Sequence, residues 1–274
     1  MKRLSKRLTG LTLLLLSSTM VGGISAQATS ASHGLGNSGS VTVIGPEISD
    51  LIDPENPDVN VDPGDGYSTT GPLRIDFISD LGFGLEKITA SERIYNSLAQ
   101  LFHSDTEPRG YYVQVSDYRE DVSGWQLQVS QEAQFSNSVI QNTQEQELLG
   151  ATLSFTKGWA NTNGDEDPGN IEVTNEAINI SEIGASYTVA IAGEGEGKGV
   201  WTIVFGGSAG YQQNDPNGTL APLSTPEEQP LMNTTYNKQA YGNSAVQLSV
   251  PTNTKIHPLQ YTTQLRWTLV AGPA

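Results

Sequence analysis

The sequence has 274 residues and a formal net charge of −16, because 30 Asp and Glu residues outnumber 14 Lys and Arg residues. Nucleic acids and anionic membranes require a positive protein surface, so this balance argues against both as partners. The chain contains no cysteine, which excludes disulfides, thiolate metal sites, iron–sulfur clusters and a cysteine nucleophile.

The first 28 residues have the three parts of a secretory signal peptide. Basic residues within positions 2–7 precede a mostly apolar stretch over residues 8–21, and small residues follow. This pattern predicts export with cleavage after Ala28. The apolar stretch is shorter than the roughly 20 residues that span a bilayer, so we expect no transmembrane segment after cleavage.

Residues 29–70 have the composition of a linker. The segment begins rich in Ser and Gly and becomes rich in Asp and Pro, as in residues 53–58 and 62–66. Such a segment has little apolar surface to bury, and its like charges repel one another. We therefore predict a disordered spacer at residues 29–70 and a folded domain at residues 71–274.

Short segments of alternating apolar and polar residues fill the predicted domain. The longest has Tyr261, Thr263, Leu265, Trp267 and Leu269 on one face. Shorter alternating sets include Leu73, Ile75 and Phe77; Trp125, Leu127 and Val129; and Tyr187, Val189 and Ile191. A period of two bounded by turn residues is typical of strands. We predict an all-β fold, an antiparallel β-sandwich or barrel-like single domain with long loops and one polar face.

Two segments depart from this pattern. Residues 89–102 are the one helix candidate, since Ile94, Leu98 and Leu101 fall at helical spacing. Residues 193–199 (GEGEGKG) alternate Gly with charged residues and predict a flexible hairpin. Carboxylates in such a loop argue against phosphate binding.

Residue types that support catalysis are present but not arranged in recognisable patterns. The predicted domain has two histidines, His103 and His257, and no Gly-x-Ser-x-Gly sequence. The histidines are too far apart in sequence for a standard zinc motif. No spacing marks the carboxylate pair that glycoside hydrolysis needs. We therefore predict no enzymatic activity and no cofactor.

One loop resembles a calcium site in part. Asn161, Asn163, Asp165 and Asp167 have oxygen-bearing side chains at every second position. The loop lacks the Gly at position six and the Glu at position twelve of an EF-hand. We favour a solvated acidic loop and keep Asn163, Asp165 and Asp167 as weak metal-ligand candidates.

The tripeptide Trp-x-Leu occurs twice, beginning at Trp125 and at Trp267. The second copy follows Tyr261 and precedes Pro273. With these surroundings, residues 71–274 resemble the WxL-domain cell-surface proteins of low-GC Gram-positive bacteria.

The resemblance implies an exported protein held non-covalently on the cell wall, with peptidoglycan as the proposed ligand and a secreted, cell-surface location. It also implies assembly with other surface proteins. The sequence has no LPxTG sorting motif, which agrees with non-covalent retention. An alternative is a protein-interaction module whose partner supplies the wall binding.

The motif residues Trp125, Leu127, Tyr261, Trp267 and Leu269 can be either ligand contacts or core residues. Trp and Leu two positions apart face the same way on a strand, so each Trp-x-Leu copy presents a continuous apolar face. This favours core positions for both tryptophans, although aromatic contact with a ligand remains the alternative. Core positions would leave ligand contacts to loops and polar strand faces, with candidates Tyr111, Tyr211, Tyr236 and Tyr241.

Overall fold

A computed structural model describes residues 49–91, 93–174, 176–211 and 217–272. The predicted signal peptide and the first part of the predicted spacer lie outside these ranges. The strands are β1 (Ile52–Asp53), β2 (Asn56–Asn60), β3 (Leu73–Ile78), β4 (Ile94–Leu98), β5 (Tyr111–Asp117), β6 (Trp125–Ser136), β7 (Thr152–Phe155), β8 (Gly158–Thr162), β9 (Ile171–Val173), β10 (Ile178–Ile180), β11 (Ser186–Ala192), β12 (Gly199–Phe205), β13 (Leu220–Pro222), β14 (Met232–Asn233), β15 (Lys238–Gln239), β16 (Tyr241–Ser249) and β17 (Thr262–Ala271). Two short 3₁₀ turns cover Thr143–Glu145 and Pro168–Asn170. The all-β prediction is confirmed.

Three larger antiparallel sheets organise the described part of the chain. Sheet 1 has the order β3-β5-β12-β8, and sheet 2 has the order β17-β6-β11-β9. Sheet 3 has the order β10-β7-β16-β13, with β4 also paired to β16. The pairs β1-β2 and β14-β15 form small ribbons. None of the helical turns in the described ranges is long and apolar enough to cross a membrane.

The main hydrophobic core lies where the inner faces of the three sheets meet. Its largest fully buried side chains include Tyr111, Trp125, Phe155, Trp201 and Phe205. Aromatic rings contact one another there, for example Phe155 and Phe205 at a centroid distance of 5.1 Å. Because each aromatic side chain removes about 150–250 Å² from water, this cluster supplies much of the driving force for folding.

Sheet 1 is covered on both faces, which differs from the predicted single polar face. Every residue of β5 is buried, including Gln114 and Ser116. The side chain of Gln114 is satisfied from residues far away in sequence, since its Oε1 accepts from the Ile52 N–H at 3.0 Å. A buried polar side chain of this kind requires such a partner.

The covering element is a strap formed by residues 49–63. Composition predicts a disordered spacer here, but the structure differs because apolar residues near both ends of the segment find partners, while Val59 stays exposed. Ile52 is only 1% exposed, and Leu51 and Val61 pack on the second core cluster, outside sheet 1.

Buried charges also hold the strap. The Arg109 guanidinium donates to both carboxylate oxygens of Asp53, at 2.7 and 2.8 Å, and lies 3.3 Å from Glu55. Glu55 also accepts from the Ser208 N–H at 2.7 Å. These partners are 56 and 153 residues away from the strap carboxylates in the chain. Local composition therefore could not predict the order of this segment.

A β-bulge in β3 overturns part of the predicted alternation. Ile75 pairs with Val115 and Phe77 pairs with Gln114, so the register shifts by one residue between them. Ile75 consequently belongs to the main core, whereas Phe77 packs beneath the strap on the opposite face. A bulge adds one unpaired residue and reverses the side-chain alternation beyond it.

Two further local predictions are wrong. The helix predicted for residues 89–102 is absent, since this region contains β4, whose Tyr95 pairs with Leu248 of β16. Pairing with an available sheet edge outweighs a weak helical period. Residues 193–199 do not form a hairpin, because β11 belongs to sheet 2 and β12 to sheet 1.

Candidate functional site

The two Trp-x-Leu segments lie on neighbouring strands. Trp267 of β17 is opposite Val129 of β6, and Leu269 is opposite Leu127. The strands differ in position, because β6 is an inner strand of sheet 2 and β17 is its outer strand. The two copies of the motif therefore have different surroundings.

The first copy lies entirely in the core. Trp125 and Leu127 are both 0% exposed. The Trp125 Nε1–H donates to the Gly197 carbonyl at 2.9 Å, which satisfies the one polar group of the indole. Gly197 has a φ of +80°, and a Cβ there would lie 2.4 Å from the Trp125 Nε1. The glycine-rich loop that follows β11 thus packs directly on this tryptophan.

The second copy lies at the surface of the core. Trp267 is partly exposed and stacks on Tyr111, with ring centroids 6.0 Å apart and an interplanar angle of 23°. Phe155 meets the same indole edge-on at 6.0 Å. Burial raises the pKa of the Tyr111 hydroxyl, while a hydrogen bond from Trp267 opposes that rise. These contacts fix the orientation of the indole.

A groove of about 1560 Å³ opens beside Trp267. The outer strands β3 and β17 line it from two sheets, and residues 78–88 and 256–261 form further walls. The aromatic residues that line it are Tyr67, Phe83, Tyr95, Tyr111, Phe135, Tyr261 and Trp267. A groove of this size exceeds the usual volume of a small-molecule pocket, so it suits a segment of a longer polymer.

Only some of the ionisable groups around the groove are paired. Arg266 donates to Glu132 at 3.0 Å. His257 lies 2.8 Å from Glu145, and this contact lowers the pKa of the Glu145 carboxyl. Burial raises the pKa of Glu86, which lines the groove wall.

The other tyrosines that were predicted as candidate ligand contacts lie in different parts of the structure. Tyr211 packs on Trp159 at 4.7 Å, and burial raises its pKa to about 12. The Tyr236 hydroxyl donates to the Pro63 carbonyl at 2.7 Å, at the end of the strap. Tyr241 begins β16 and, like Tyr211 and Tyr236, does not line the groove. Tyr111 alone of the four reaches the groove, as part of its floor.

Sequence reasoning missed most of the groove wall. Phe83 and Glu86 belong to a segment without regular structure, and Tyr95 lies in the predicted helix. A short cluster of Gly82, Phe83 and Gly84 is the one local signal, since it indicates a loop and binding residues are often carried on loops.

The calcium-like loop remains a weak metal candidate. Asn163, Asp165 and Asp167 are exposed, and the Asp167 Oδ1 accepts from the Gly169 N–H at 2.8 Å. Asn161 turns away from them, because its Nδ2 donates to the Pro54 carbonyl of the strap at 2.9 Å. Over the described ranges, no group of three or more His, Cys, Asp or Glu residues is arranged to hold a metal ion.

Comparison with known proteins gives one match. A sequence-family model described as WxL domain surface cell wall-binding matches residues 30–273. No curated protein sequence and no solved structure matches the chain. The family match begins well before residue 71 and so includes the strap that packs on sheet 1.

Proposed function

Because this chain belongs to the WxL-domain family of cell-wall-binding surface proteins, we propose that it attaches non-covalently to the peptidoglycan of a Gram-positive cell wall. The groove beside Trp267 is the ligand site in this proposal. Export depends on the signal peptide predicted at residues 1–28. Attachment requires neither a catalytic step nor a cofactor.

The partly exposed indole of Trp267 carries the proposal. The indole is held between Tyr111 and Phe155 and still reaches the groove. A large aromatic face that is already fixed in place loses little conformational entropy when a ligand packs on it. Such faces suit both the C–H surfaces of sugars and apolar peptide groups.

Co-sedimentation with purified sacculi tests the proposal. The mature chain should bind sacculi stripped of anionic polymers in a saturable manner. Trp267→Ala should weaken that binding about tenfold or more, as expected for the loss of a central aromatic contact. Val270→Ala is the matched control, because Val270 is an exposed apolar residue of β17 outside the groove lining. A wild-type chain that stays in the supernatant would refute wall attachment.

The free edge of β17 favours a second function, assembly with other surface proteins. Within the described part of the chain, β17 runs for 10 residues and pairs with β6 alone. An exposed strand edge can add a strand from another protein through backbone hydrogen bonds. Co-sedimentation with bare sacculi, in the presence and absence of candidate partner proteins, distinguishes the two functions. Retention that occurs only when a partner is present would favour assembly over direct binding.

A further inference from the structure

Two carboxylates of the groove wall formed by residues 78–88 have no partner among the described residues. In the described ranges, Asp80 and Glu86 form no ion pair and no hydrogen bond through their side chains, and both are exposed. Among the described residues of the lining, Lys87 is the one unpaired cation, and Arg266 is already neutralised by Glu132 at 3.0 Å. The unpaired charges therefore leave this part of the groove negative.

The charge of each of these carboxylates acts on the pKa of an aromatic residue of the groove. Burial raises the pKa of Tyr95, with the charge of Arg93 opposing that rise and the charge of Glu86 adding to it. Burial likewise raises the pKa of Tyr111, and the charge of Asp80 adds to the rise. A carboxylate beside an aromatic ring attracts an ammonium group by charge and by cation–π interaction.

The shape of the groove restricts the occupant further. The outer strands of sheets 1 and 2 line it, so a bound chain runs past backbone groups of β17. An extended peptide can hydrogen-bond to such an edge along its length. Uncharged sugars can stack on Trp267 but carry no positive group that could pair with the two free carboxylates.

We infer that the groove recognises the peptide part of peptidoglycan in an extended conformation, with a side-chain amine of that peptide bound between Asp80 and Glu86. The inference rests on the proposed function and narrows it to one component of the wall. The short peptides of peptidoglycan contain a diamino acid, whose side-chain amine is free wherever no cross-link has formed. This amine is the cationic group that the two carboxylates fit.

Chemical modification of the wall tests the inference with the intact mature chain. Three substrates are compared by co-sedimentation: untreated sacculi, sacculi whose amines are acetylated with acetic anhydride, and glycan strands freed of peptide by an amidase and immobilised on beads. Acetylation removes the positive charge and should weaken wild-type binding about three- to tenfold, the range for two exposed ion pairs. Peptide-free glycan should bind at least as weakly as acetylated sacculi.

A charge-neutral variant identifies the residues involved. Asp80→Asn combined with Glu86→Gln should bind untreated sacculi as weakly as the wild type binds acetylated sacculi. Acetylation should then have no further effect on this variant. Glu227→Gln combined with Glu228→Gln is the control, because both are exposed carboxylates outside the groove and the pair makes the same change in net charge. Circular dichroism verifies that each variant keeps the β-sheet fold.

The outcomes separate this inference from wall attachment itself. Equal wild-type binding to untreated and acetylated sacculi, or undiminished binding to peptide-free glycan, overturns the amine site and leaves wall attachment standing. A double variant that remains as sensitive to acetylation as the wild type also overturns the assignment to Asp80 and Glu86. Failure of the wild type to bind any of the three substrates overturns both proposals.

Discussion

Replacing each motif tryptophan by phenylalanine should affect different properties of the protein. In the wild type, the Trp125 indole N–H donates to the Gly197 carbonyl at 2.9 Å. Trp125→Phe removes this donor and leaves the carbonyl buried without a partner. An unsatisfied buried acceptor costs about 1–3 kcal/mol. The smaller ring also leaves a cavity of roughly 40 Å³, which adds about 1 kcal/mol. The free energy of unfolding should fall by about 2–4 kcal/mol.

Trp267→Phe should reduce stability less than Trp125→Phe does, and it should reduce wall binding more. The indole is partly exposed, so a shorter side chain leaves the Tyr111 hydroxyl within reach of water. We expect a loss of about 1–2 kcal/mol in unfolding free energy. Wall binding should fall several-fold, because part of the proposed contact face disappears.

Thermal unfolding and sacculus co-sedimentation measure the two effects on the same variants. For a domain of this size, about 3 kcal/mol corresponds to a decrease in Tm of roughly 6–12 °C. Binding is measured well below that temperature, where both variants are folded. The reasoning is refuted if Trp125→Phe lowers the unfolding free energy by less than about 1 kcal/mol. It is also refuted if folded Trp125→Phe loses wall binding while Trp267→Phe retains it.

Two other substitutions test contacts that hold the loops and the strap. Arg109→Met should lower the unfolding free energy by about 2–4 kcal/mol, because it leaves the Asp53 carboxylate buried without its partner. Hydrogen exchange should then accelerate in the strap, and unchanged exchange there would contradict its anchoring by this ion pair. Gly197→Ala should cost about 3 kcal/mol or more, since its Cβ would lie 2.4 Å from the Trp125 Nε1 at a positive φ. Gly195 is the control, because it also has a positive φ but a Cβ there would have nothing within 4 Å. Gly195→Ala should therefore lower the unfolding free energy by only about 1 kcal/mol, measured by urea unfolding. Equal losses for the two variants would contradict the packing argument.

Local sequence patterns were sufficient for the fold class. Short alternating segments between turn residues predict strands because the side-chain period of a strand is set by its own backbone. The Trp-x-Leu repeat also identified the family, and the family match confirms it. These features depend on residues that are close in sequence, so they can be predicted directly from the sequence.

Local patterns failed where a distant segment decides the outcome. The strap is ordered because Arg109 and the outer face of sheet 1 lie beneath it. The predicted helix became β4 because β16 offers a strand edge. Phe77 faces away from Ile75 because a bulge shifts the register of β3 against β5. Each partner is remote in the chain, so its effect is invisible to composition or periodicity.

By itself, the sequence determined that this protein is built from antiparallel strands and that two of them carry the same Trp-x-Leu tripeptide. The tertiary structure alone decided that the two copies differ: Trp125 lies on an inner strand beneath a glycine loop, and Trp267 lies on an outer strand beside a groove. The physical reason is that a tripeptide specifies which side chains share a face, whereas the neighbours of its strand specify whether that face is covered.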